Sequence, residues 1–241
     1  MAQIYLVRHG QASFGSQNYD QLSALGEQQA AELGRWWTAR GLQAARIVTG
    51  AMQRHRQTAD ACMAQMNTPE TAAPERWQCD ARFNEYHHHE VLVRHHPEFE
   101  DPAVVKDFLM NTPNGKLAFQ DVFTAAVARW ISGLHDRDYT ETWKQFQQRC
   151  VSAFNEQLLM NDDARQIVIF TSGGTIAAIC QHVLGFPDER FAPFNWSLVN
   201  TGVTRIHLAR GADQQPRLAL AYVNNFSHLE VLNQASLITY V

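Results

Sequence analysis

The sequence predicts an α/β protein built on a mostly parallel sheet with helices on both faces. Three observations carry that prediction. Short apolar runs that read as buried strands alternate with helical patterns. The 241 residues, 45 % of them hydrophobic, can enclose one sizeable core and are too few for two full enzyme domains of ordinary size, so one domain over 1–241 is expected. The alternation breaks once, between about 86 and 140, where His-, Pro- and Phe-rich sequence carries no strand of its own. A stretch that long inside a compact domain reads as a functional insertion or cap.

The strand candidates are "IYLV" at 4–7, "RIVTG" at 46–50, a weak "RWQC" at 76–79, "QIVIFT" at 166–171, "GVTRIHLA" at 202–209 and "RLALAYV" at 217–223. Between the first two, Ser23 can cap a helix whose Ala30, Leu33 and Trp37 form one stripe, with Gly41 just past its end. Before the fourth, Trp143, Phe146, Cys150, Phe154 and Leu158 keep a three-or-four spacing, the clearest amphipathic helix in the chain.

Composition narrows the function. A formal net charge of -4 gives no global positive field for nucleic acid or an anionic membrane, so any anion site must be made locally. No apolar run approaches the roughly 20 residues of a membrane span, and the N-terminus lacks the pattern of a secretory leader. A cytoplasmic protein is expected. Cys62, Cys79, Cys150 and Cys180 are widely spaced, which fits reduced, mostly buried thiols.

Ligands of open α/β sheets bind at the carboxyl ends of the strands, so the polar residues after each strand matter most. Arg8, His9 and Gly10 follow the first, and Arg54 falls near a helix start after the second. Glu85 lies past the third, and Ser172, Gly173 and Gly174 open a helix after the fourth. Two cations, a nucleophile candidate, an acid candidate and a helix N-terminus on one rim suit a phosphoryl group. Guanidinium forks match phosphate oxygens. At 4 Å and an effective dielectric of about 20, one charge pair is worth roughly 4 kcal/mol. Glycine lets backbone N–H groups approach an anion, and the helix N-terminus adds partial positive charge. Beside Arg8, His9 is biased toward the neutral imidazole that can attack phosphorus. Glu85 can then protonate the leaving oxygen.

"LVRHG", "RHRQTA" and "FNEY" resemble the motifs of the histidine phosphatase superfamily, the phosphoglycerate mutase-like fold, in matching order over nearly the whole chain. The resemblance implies a three-layer α/β/α sandwich, no metal or other cofactor, His9 as the phosphorylated nucleophile, Arg8 and Arg54 as phosphate ligands and Glu85 as proton donor. It also implies that the 86–140 insertion selects the substrate.

Two departures from the family pattern stand out. Such families typically carry a second histidine before the Gly-Gly pair, where this chain has Ser172. A serine donates a hydrogen bond but no imidazolium charge, and losing one well-placed transition-state donor typically costs about 10² to 10³ in rate. A slow or narrowly tuned phosphatase is therefore expected. Gln11 stands where glutamate is common, and "SFGSQNYD" lacks the Trp-Asn pair of many relatives, which touches the substrate side of the pocket.

The reading is a metal-independent phosphatase for small phosphate monoesters, with Arg8, Gly10, Arg54, Ser172 and Gly173 on the phosphate. A phosphoglycerate mutase-type phosphotransferase is the alternative enzyme, disfavoured because the insertion offers only Arg94 and Lys106 to grip a second acidic group. A non-catalytic phosphate-ligand or protein-binding module is the alternative from another class. The run "HHHEVLVRHH" at 87–96 matches no standard zinc spacing and reads as a histidine-rich lid facing the pocket. Ser172 lacks the glycine two residues earlier that a nucleophile elbow needs. The partner expected is a small-molecule phosphate ester, with neither nucleic acid nor membrane. A homodimer through an exposed strand such as 202–209 is one arrangement the sequence allows.

Overall fold

The computed structural model describes residues 2–13, 20–66, 73–160, 164–210 and 216–240. In chain order the elements are β1 (Ala2–Arg8), α1 (Ala24–Thr38), β2 (Arg46–Thr49), α2 (Gln53–Met63) and β3 (Gln78–Cys79). There follow α3 (His88–His95), α4 (Pro102–Asn111), α5 (Gly115–Ile131), α6 (Trp143–Leu159), β4 (Gln166–Thr171), α7 (Gly173–Leu184) and α8 (Phe191–Ser197). The chain closes with β5 (Val203–Arg210), β6 (Pro216–Asn225) and α9 (Ser227–Glu230).

One six-stranded sheet runs in the order β3-β2-β4-β1-β5-β6, parallel from β3 to β1 and antiparallel beyond. β1 alternates between two cores, which explains its unbroken apolar run. Tyr5 and Val7 join Ala30, Leu33 and Trp37 of α1 and Ala59 and Met63 of α2 on one face. Ile4 and Leu6 join Phe146 and Phe154 of α6, Ile176 of α7 and Phe191 of α8 on the other. The result is three layers, helices over sheet over helices. Each fully buried side chain of this kind contributes about 1.5–3 kcal/mol.

The helix ends follow local chemistry. Ser23 Oγ accepts the Gly26 N–H at 3.1 Å, and Gly41 adopts a left-handed φ of 65° past the end of α1. At the start of α6, Thr142 Oγ1 accepts the Gln145 N–H while Gln145 Oε1 accepts the Thr142 N–H, a capping box.

Two expectations need correction. The third strand spans only Gln78–Cys79, because Pro74–Arg76 forms a 3₁₀ turn before it. β5 is paired on both sides, to β1 and β6, so it presents no free edge for a second copy. The thiols are mostly buried, as expected: Cys62, Cys150 and Cys180 are buried and Cys79 is exposed. The 86–140 stretch is helical, through α3, α4 and α5. Among the described residues, no helix is long and apolar enough to cross a membrane.

Register sets the site. Thr49 is opposite Phe170, and Arg8 is opposite Thr171. The carboxyl ends of β2, β4 and β1 are therefore level, and the residues that follow them share one rim.

Candidate active site

His9 leaves β1 with its N–H donated to the Thr171 carbonyl at 2.9 Å, and its own carbonyl accepts from Asn200 Nδ2 at 3.1 Å. Its Nδ1 lies 2.7 Å from the Gly10 carbonyl oxygen, which can only accept. The neutral ring therefore carries its proton on Nδ1 and keeps the Nε2 lone pair for chemistry. Burial, then the charges of Arg54 and Arg8, hold the imidazole well below its ordinary pKa. The sequence anticipated the cations, but burial is the larger cause.

Arg8 and Arg54 are both buried, and Arg8 Nη1 donates to the Leu198 carbonyl. Arg54 Nη1 meets Asp20 Oδ1 at 2.8 Å, while Asp20 Oδ2 accepts the Gln53 N–H at 2.9 Å. The carboxylate thus orients the start of α2 and its guanidinium together. Gly10 has a different part from the one its type suggests. Its N–H donates to Thr58 Oγ1 at 3.0 Å, and a β-carbon there would come within 2.4 Å of the Gly26 carbonyl oxygen. Glycine is needed at 10 for the close approach of β1 to α1. Thr58 in turn donates to the Arg54 carbonyl at 2.6 Å, tying the two motifs together.

Glu85 reaches the rim from the turn after β3. Its Oε2 accepts the Gly174 N–H at 3.1 Å and its Oε1 the Tyr86 N–H at 3.1 Å. Burial raises the carboxyl pKa against the opposing pull of those N–H groups and of Arg54 and Arg8, which favours a proton donor. A β-carbon on Gly174 would fall 2.2 Å from Glu85 Oε1, and one on Gly173 would fall 2.3 Å from Asn195 Oδ1. The Gly-Gly pair is therefore required by close packing around Glu85 and Asn195.

The turn carrying Glu85 is pinned from three sides. Thr171 Oγ1 donates to the Phe83 carbonyl at 2.5 Å and Thr175 Oγ1 to that of Asn84 at 3.0 Å. Arg149 of α6 donates to the carbonyls of Arg82, Asn84 and Glu85, and Glu141 holds it in turn. Tyr86 stacks on Trp130 with centroids 4.9 Å apart, an aromatic pair worth about 0.5–1.5 kcal/mol beyond its burial.

Ser172 is fully buried beside the strand end that carries His9. Its hydroxyl oxygen lies 2.6 Å from Nε2 of His55, a residue the sequence reading passed over inside "RHRQTA". A histidine between two arginines at a helix start was the available signal. Asn200, Thr201, Thr58 and Arg149 were also missed.

Of the histidine-rich run, His88 lies where Arg54 acts on it, with a pKa lowered mainly by burial to about 4. His87 and His89 are exposed, and His96 stacks on Phe99 at 4.0 Å. Gln11 is bound by Ser23, whose Oγ donates to Gln11 Oε1 at 2.9 Å. Residues 14–19 of "SFGSQNYD" lie outside the described residues. Among the described residues, no group of three or more His, Cys, Asp or Glu side chains converges as a metal centre needs.

The profile described as Histidine phosphatase superfamily (branch 1) matches residues 4–114 and 116–220. No curated protein matches the chain. Among solved structures, an Entamoeba histolytica phosphoserine phosphatase mutant complexed with phosphoserine superposes with a TM-score of 0.61 at 15% identity, covering 95% of this chain and 100% of that one. A mycobacterial glucosyl-3-phosphoglycerate phosphatase complexed with VO3 gives 0.60 at 19% identity, covering 93% and 99%. A putative alpha-ribazole-5'-P phosphatase from Escherichia coli gives 0.57 at 17% identity, covering 93% and 97%. At such identities the likeness is one of fold.

Proposed function

We propose that this chain, which belongs to the histidine phosphatase superfamily (branch 1), hydrolyses small phosphate monoesters through a phosphohistidine on His9. The observation that carries the reading is the His9 imidazole, buried between two arginines with Nδ1 on the Gly10 carbonyl and Nε2 available.

In the proposed cycle, His9 Nε2 attacks phosphorus while the ester oxygen departs with the proton of Glu85. Arg8, Arg54, Ser172 and the Gly173 end of α7 hold the phosphoryl oxygens. Gly10 supports the site through its packing. Glu85, now a carboxylate, takes a proton from water as that water attacks the phosphohistidine, and phosphate and free His9 are restored. The raised pKa of Glu85 and the lowered pKa of His9 favour the protonation states this needs. The helical stretch of 86–140 acts as the cap that selects the ester within one domain.

Hydrolysis is favoured over a mutase reaction. Arg94 is half-exposed and lies 3.9 Å from Glu90, and Lys106 is exposed, so neither forms a second buried anion clamp. The test is phosphate release from an aryl phosphate with chelator present. Turnover should persist in chelator and fall by at least about 10³-fold in His9→Ala. Tight vanadate binding without turnover would favour the binding module instead.

A further inference from the structure

The cycle above leaves one buried imidazole of the rim without a part. His55 follows Arg54 on the first turn of α2 and is fully buried. Its Nε2 lies 2.6 Å from Ser172 Oγ, and its ring centroid is 5.8 Å from that of His9. Its Nδ1 has no hydrogen-bond partner among the described residues. That nitrogen packs against Gly50, where a β-carbon would come within 2.2 Å of it.

Ser172 is equally unusual. It occupies the N-cap of α7, where a serine oxygen ordinarily accepts a helical N–H, yet its side chain caps nothing. The Gly174 N–H goes to Glu85 Oε2 instead. The hydroxyl is therefore committed to His55, and the tautomer of His55 decides what it can still do. With the proton on Nδ1, the ring would strand a buried N–H, and the serine proton would be spent on Nε2. With the proton on Nε2, the N–H finds an acceptor in Ser172 Oγ, and only a lone pair at Nδ1 goes without a partner. Buried N–H groups without acceptors are the rarer case.

We propose that His55 acts through Ser172 as a donor relay, in which His55 Nε2–H donates to Ser172 Oγ and the Ser172 hydroxyl donates to an oxygen of the phosphoryl group transferred at His9. The proposal rests on the phosphatase reading above. Ser172 is then a catalytic residue and His55 a positioning residue. The ring fixes the hydroxyl rotor before substrate arrives, and an oxygen that accepts from the ring polarises its own O–H toward the anion. Burial and the charge of Arg54 keep His55 neutral in the resting site, as the relay requires.

The first test is the tautomer of His55, read from imidazole ¹⁵N shifts in the intact protein. A protonated Nε2 is expected, and a protonated Nδ1 overturns the relay whether or not the protein turns over. Kinetics on an aryl phosphate then separate relay from scaffold. His55→Leu and Ser172→Ala should each lower kcat by about 10²-fold with KM little changed, and the double variant should lose no more than either alone. His55→Gln, whose amide N–H replaces Nε2–H, should recover most of the rate without changing the thermal midpoint. Additive losses, or His55→Leu at wild-type rate, contradict the relay. If the wild type shows no turnover, the phosphatase reading fails separately. Vanadate affinity, weakened alike in His55→Leu and Ser172→Ala, then replaces kcat, and unchanged affinity overturns the relay.

Discussion

On the sheet rim, His9, Arg8, Arg54 and Ser172 are each less than one-tenth exposed, and nearly every group that shapes the rim is tied to a distant element. Among α3, α4 and α5, by contrast, α4 buries none of its ten residues, and Met110 and Leu117 are 71% and 57% exposed. Rim side chains are fixed by hydrogen bonds that span the chain, such as His55 to Ser172 and Arg149 to Asn84. Within the helical stretch, α5 is anchored in the core through Ala126, Val127 and Trp130, while the outer part is held by aromatic contacts, His96 on Phe99 and Phe99 on Phe108. The difference teaches where each part of the proposed function resides. Phosphoryl chemistry needs fixed donors, whereas ester selection can be left to a part with fewer buried contacts.

Acid should separate the two regions most strongly. The rim buries His9 and His55 in the uncharged form, and so does α9 His228, whose Nε2 lies 2.9 Å from the hydroxyl of Thr201, the residue whose N–H donates to the Arg8 carbonyl; burial lowers each pKa, that of His228 to about 3. In the helical stretch His88 of the 87–89 run is also held low, to about 4, while His87 and His89 are exposed. A base whose pKa is lowered by folding stabilises the fold above its unfolded pKa, and that stability is lost as pH falls through 6.5 toward the folded value. Each of the four low-pKa imidazoles should contribute about 1 kcal/mol of loss between pH 7 and about 5.5, or roughly 4–5 kcal/mol together. Denaturant unfolding at the two pH values measures this, and His228→Asn should remove about a quarter of the slope.

The next effect concerns placement. Gly174→Ala forces a β-carbon to within 2.2 Å of Glu85 Oε1 and 2.8 Å of the Tyr86 ring. A displacement of Glu85 on that scale should lower kcat by about 10²-fold. Circular dichroism and the thermal midpoint would show whether the fold persists. The smallest effect belongs to the other region. Met110→Ser on α4 should change stability by no more than about 0.5 kcal/mol and leave aryl phosphate turnover unchanged. A large loss there would erase the contrast.

The sequence made the rim legible because a chemical rule ties strand ends to ligands. Once "IYLV" and "QIVIFT" read as strands, Arg8, His9 and Ser172 had to share an edge, and register places Arg8 opposite Thr171. Contacts that no local pattern encodes stayed hidden. His55 meets Ser172 across 117 positions, and Arg8 meets the Leu198 carbonyl across 190. Thr58 reads as an ordinary helical residue until Gly10 N–H is found on its hydroxyl. α4 is faint in the sequence for a related reason, since a helix with no buried residue need not carry an apolar stripe. The run at 76–79 reads as longer than β3 because Trp77 is apolar and buried without joining the ladder.

The central claim is a covalent phosphoryl group on His9. The direct measurement is mass spectrometry of the protein quenched at alkaline pH, where phosphohistidine survives, after mixing with an aryl phosphate. One phosphate on the peptide containing His9, absent in His9→Ala, is the predicted result. Turnover with no phosphorylated peptide, or with the phosphate on another residue, would contradict the account.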